Sequence, residues 1–154
     1  MTHGANVTHS RADLTGCSEA IFPLVQRNVV ASGMFWRALI GLLAFDLLGF
    51  GRNFARMHRF VSDWRVSTTE VSGKTVDDVC CALNYACTWY PKRVLCLQRS
   101  AVTTCLLRSC GVRASMVMGA QILPFKAHAW TEVDGHVINE RRPIGKIYKV
   151  LERC

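Results

Sequence analysis

CLQRSAVTTCLLRSCG, residues 96 to 111, followed by AHAWTEVDGHVINE, residues 127 to 140, decides how this chain reads. The first stretch is helical. Pro91-Lys92-Arg93 breaks whatever precedes it, apolar residues run through it, and Gly111 offers a C-terminal stop. The second alternates apolar and polar residues around Asp134-Gly135, a two-residue hairpin signal. Together with VRASMVMGAQ, residues 112 to 121, it is expected to form antiparallel strands. A helix feeding a small antiparallel sheet is an α+β arrangement. Cys96 stands at the helix start and His128 inside a strand.

Working outward, Thr75-Val76-Asp77-Asp78 places a hydroxyl cap three residues before a carboxylate and predicts a helix running to about Trp89. Earlier still, MFWRALIGLLAFDLLGF, residues 34 to 50, is strongly apolar. Arg37 and Asp46 interrupt it, and it is shorter than the roughly 20 residues that span a bilayer. It reads as a buried or docking helix. In RNFARMHRFVSDWR, residues 52 to 65, Phe54, Met57, Phe60, Val61 and Trp64 recur at helical spacing, with basic residues on the remaining face. Residues 1–33 carry no sustained period and are expected as a partly mobile arm, 34–66 as a helical docking region, and 67–154 as the catalytic core, compact with 34–66. The closing RRPIGKIYKVLERC suggests one more strand around Ile147 to Leu151.

With 154 residues the chain suits a single domain, and 50% hydrophobic residues against 19% charged ones exclude intrinsic disorder. The formal charge of +8 favours acidic partners. No RNA-binding signature, zinc-finger spacing or long basic tract accompanies it, so nucleic acid is not expected. The first residues lack the basic start and apolar run of a secretory signal, which points to the reducing cytoplasm. Cysteines such as Cys80-Cys81, Cys87 and Cys105 sit in apolar runs and read as buried thiols. No CxxC or HxxxH pair is present, so neither a metal nor another cofactor is called for.

A thiol attacks as thiolate, and a helix start favours the anion through its unsatisfied N–H groups and the positive end of the dipole. Among the eight cysteines, Cys96 alone is so placed. A neutral imidazole at His128 can accept the thiol proton and later return it to a leaving amine. A third group must orient the ring. The hairpin through Asp134-Gly135 brings residues 136 to 140 beside the His128 strand, so Asn139 or Glu140 is the candidate, and strand alternation allows only one of them. The Cys96 backbone N–H is a reasonable oxyanion donor. Trp130, two residues after His128, shares its sheet face. Arg99 and Arg108 read as surface charges on the nucleophile helix.

The order of Cys at a helix start, His in AHAW and an acid on the following strand resembles the papain-like and transglutaminase-like superfamily. CLxRS, LLRxxG and AHAWxEVDG, in that order over about residues 75 to 140, further resemble the stand-alone leader peptidase of bacterial lasso-peptide biosynthesis, whose Cys-to-His spacing suits the 32-residue step from Cys96 to His128. The resemblance implies a cysteine protease that cuts a ribosomally made precursor between leader and core. Cys96 would be the nucleophile, His128 the base and acid, and Glu140 would stand where that family usually carries Asp, with Asn139 as substitute. It also implies three partners: the precursor peptide, a separate leader-recognition protein and an ATP-dependent lasso cyclase. Two rivals remain open, transfer of the acyl group to an amine and a non-catalytic scaffold that presents the precursor.

Overall fold

The structure, a computed structural model, describes residues 33–49, 53–68, 75–138, 140 and 143–154. Helix α1 spans Gly33–Leu47, α2 Phe54–Asp63, α3 Thr75–Trp89 and α4 Cys96–Ser109. Strands β1 (Ala114–Gln121), β2 (Lys126–Val133) and β3 (His136–Ile138) follow, then a single helical turn α5 (Ile144–Ile147) and strand β4 (Lys149–Arg153). The stretch expected as an arm, apart from Gly33, lies outside the described residues. Among those described, no helix is long and apolar enough to cross a membrane.

The sheet runs β3-β2-β1-β4 with every neighbouring pair antiparallel. Asp134 and Gly135 both take positive φ, 49° and 78°, which a tight primed turn requires and which Asp-Gly supplies at little cost. After β3 the chain leaves one edge of the sheet and returns at the other, beside β1. The final strand therefore starts later than the expected Ile147. Ile144–Ile147 wind into one turn, and pairing with β1 begins at Lys149 against Ala120.

Helix α4 is the hub. Gln98, Ser100, Ala101, Val102, Thr103, Thr104, Leu106 and Leu107 are all buried, so most of its circumference is covered. Such a helix has little amphipathic periodicity because it packs on several sides at once. Phe35, Ala38 and Leu42 of α1, Val79, Leu83 and Ala86 of α3, and Val102, Leu106 and Leu107 of α4 form the main core. Leu42, Leu83 and Leu107 are fully buried, and truncating any of them to Ala should cost about 2–5 kcal/mol. A second cluster joins Phe45, Met57, Val61 and Ala101 to Met116 of β1. On the other face of the sheet Val117, Trp130 and Ile144 make a third, smaller cluster.

Two polar anchors fix the ends of α4. Asp46, an acid in the otherwise apolar α1, accepts the Tyr90 hydroxyl at 2.6 Å and pairs with Lys92 Nζ at 3.1 Å. The Tyr90 hydrogen bond and the Lys92 ammonium hold its carboxyl below the usual range. Gln98 donates to the Leu42 carbonyl at 2.9 Å, so the loop entering α4 and its first turn are both tied to α1. At the other end Arg108 donates to the Ala114 carbonyl at 2.8 Å, to the Val61 carbonyl of α2 at 2.6 Å and to that of Trp64 just beyond α2 at 3.2 Å. Arg108 is thus a half-buried staple and no free surface charge. Arg99 is likewise engaged, donating to Asn84 Oδ1 at 2.6 Å.

Candidate active site

Cys96 is the first residue of α4, and Leu95 ahead of it has extended backbone with no side-chain cap. The first-turn N–H groups therefore meet no capping side chain, which leaves the positive end of the helix dipole beside the thiol. The sharp entry comes from Pro91 and from the Asp46 anchor on Tyr90 and Lys92. A cleft of about 400 Å³ opens at this point, lined by Cys96, His128, Glu140, Arg93, Ile144 and Tyr148 among others.

His128 lies on β2 directly opposite Gly119 of β1. Its Nε2 stands 3.0 Å from Glu140 Oε2, which leaves Nδ1 as the ring nitrogen without that partner. A carboxylate on Nε2 fixes the tautomer and stabilises the protonated ring. β3 ends at Ile138, so Glu140 reaches the ring from the crossover that follows and not from a strand position. Asn139, the substitute, falls outside the described residues.

Four thiols lie outside this cleft in largely apolar surroundings. Burial pushes Cys105 up to about 12 and Cys80 up to about 11, and raises Cys87 and Cys154 as well. They are half-buried rather than sealed, yet they stay protonated near neutral pH, as structural thiols do.

One neighbour escaped sequence reasoning. Tyr148 stacks on His128 with ring centroids 5.2 Å apart and 30° between planes. Nothing in RRPIGKIYKVLERC marks it, because its placement depends on the crossover that carries the chain from one sheet edge to the other. Trp130 occupies the sheet face expected for it, its ring centroid 6.3 Å from that of His128. Among the described residues, no group of three or more His, Cys, Asp or Glu side chains gathers as a metal cage.

A thiol at an uncapped helix start, an imidazole and a carboxylate line one cleft, a set of groups that can support cysteine-dependent acyl transfer. Searches of curated proteins and of solved structures returned no match. The transglutaminase-like superfamily pattern matches residues 41–153, a span that holds Cys96, His128, Glu140 and every strand of the sheet. Members of that superfamily are typically cysteine-dependent enzymes, among them proteases and acyltransferases. The chain belongs to the transglutaminase-like superfamily.

Proposed function

We propose that the protein is a cysteine peptidase that removes the leader from a ribosomally made lasso-peptide precursor, before a partner cyclase closes the released core. The observation that carries this reading is the 3.0 Å contact of His128 Nε2 with Glu140, in a cleft that Cys96 also lines. In this mechanism Cys96 Sγ gives its proton to His128 and attacks the scissile carbonyl. First-turn N–H groups of α4, that of Cys96 included, stabilise the oxyanion. His128 then protonates the leaving amine, and water, activated by the same ring, hydrolyses the thioester. Glu140 holds the ring in place throughout and takes no proton.

Substrate identity rests on the resemblance of CLxRS, LLRxxG and AHAWxEVDG to leader peptidases. A cytoplasmic setting and a separate leader-recognition protein belong to the same reading. The helices over Met34 to Trp64 are its docking region. An apolar groove of about 340 Å³ lined by Ile40, Leu48, Phe60, Trp64, Val102 and Leu106 is the surface on which leader or recognition protein would sit.

Mass spectrometry of the precursor, incubated with the recognition protein and either the native chain or Cys96→Ala, tests the reading. Separate leader and core masses are expected with the native chain only. Joined products lacking added water would turn the assignment to amine transfer. Maturation unaffected by Cys96→Ala would turn it to a scaffold.

A further inference from the structure

His128 is held by more than Glu140. Strand alternation sets His128, Trp130 and Glu132 on one face of β2. Glu132 is buried; its carboxylate accepts Trp130 Nε1–H at 2.9 Å and pairs with Arg153 of β4. The Trp130 ring in turn fills the notch left by Gly119, where a Cβ would lie 2.8 Å both from the ring and from the Lys149 carbonyl. This is a rigid floor, tied to β1 and β4 together. Tyr148 stands on it, with its ring centroid 6.4 Å from that of Trp130 and 5.2 Å from the imidazole.

Tyr148 is positioned from behind as well. Ile144, almost completely buried against Val117 and Trp130, locks the turn before it, and the Tyr148 N–H closes that turn on the Ile144 carbonyl at 2.9 Å. The ring face is what reaches His128, with 30° between the two planes. An aromatic face attracts a cation. The imidazolium formed in the first step is such a cation. Of the charged side chains lining the resting cleft, Arg93 and Glu140, Glu140 attracts it, as does the Cys96 thiolate formed in the same step.

We propose that Tyr148 is a positioning residue for His128. Its face keeps the imidazole in the plane that gives Nε2 to Glu140 and turns Nδ1 to the cleft. It also attracts the imidazolium produced when the proton moves from Cys96 Sγ to His128 Nδ1, the S–H bond breaking as the Nδ1–H bond forms and leaving Cys96 as thiolate. The proposal rests on reading Cys96 and His128 as nucleophile and base.

The experiment uses the full chain. Cys96 alkylation by iodoacetamide at pH 7 is followed by mass spectrometry of the tryptic peptide Val94 to Arg99, which holds no other cysteine, alongside precursor kinetics. Tyr148→Phe, which keeps the face, is expected within about twofold of the native rate. Tyr148→Leu is expected to slow Cys96 alkylation roughly tenfold and to lower kcat similarly with KM unchanged. Should Leu unfold the chain by circular dichroism, Tyr148→Met, unbranched and adaptable, takes its place with the same expectation. Native rates in the Leu or Met chain overturn the proposal, and so does a Phe chain as slow as Leu. His128→Ala alkylated at the native rate overturns the base reading beneath it, whereas a slow His128→Ala beside a native-like Tyr148→Leu removes the proposal alone.

Discussion

Two cavities open along one helix, and each receives a thiol from it. At the first turn of α4, Cys96 faces a cleft that also holds an imidazole, a carboxylate and Arg93. Further along the helix Cys105 lines an almost wholly apolar groove between α1, α2 and α4, and burial pushes it up to about 12. The residue type is the same. At the helix start, first-turn N–H groups and a nearby imidazole surround the thiol; two and a half turns on, apolar side chains do, and they penalise the charged form. Position on the helix, and what the sheet brings to that position, separates a candidate nucleophile from a packing atom.

The largest effect that would break this contrast lies at Glu140. Glu140→Gln removes the charge but keeps the shape, and kcat for precursor cleavage should fall on the order of 10²-fold, with KM little changed. Cys105→Ala, in contrast, should leave kcat within about twofold. Equal losses in the two chains, measured by steady-state cleavage, would erase the distinction between the cavities.

A smaller effect belongs to the groove. Phe60 is 40% exposed at its rim, and Phe60→Ser should raise KM for the full precursor roughly tenfold by removing apolar contact area. Iodoacetamide alkylation of Cys96 should not change. Slower alkylation in that chain would mean that the groove and the cleft act as one site.

The smallest effect concerns pH. For Cys105, Cys80 and the other raised thiols the folded value lies above the ordinary 9.0. Their contribution to stability is fully present below pH 9.0 and is lost as pH rises from 9.0 toward 11 and 12. Thermal melts should therefore be flat from pH 7 to 8.5 and decline above pH 9. A chain in which Cys105 and Cys80 are both Ala should decline less steeply.

The residue order was legible wherever a local signal governs the chain. Pro91 ahead of Cys96, the helix start at Thr75 and the Asp134-Gly135 turn each depend on a few residues, and each is found where the sequence puts it. Arg108 read as a surface charge because two of its three partners, the carbonyls of Val61 and Trp64, lie more than 40 positions away. Asp46 looked like an interruption of an apolar helix, yet it anchors the loop ahead of Cys96 through Tyr90 and Lys92. Long-range partners leave no periodicity to read.

From its sequence alone this chain determined a cysteine at a helix start, a histidine on a strand and a hairpin beyond it, because capping, chain breaking and alternation are properties of neighbouring residues. Tertiary structure alone decided that Glu140 meets the ring from a crossover, that Tyr148 lies across its face and that Gly119 makes room for Trp130. Those contacts exist only once the last segment has crossed the sheet and paired with β1, bringing together side chains that no local rule relates.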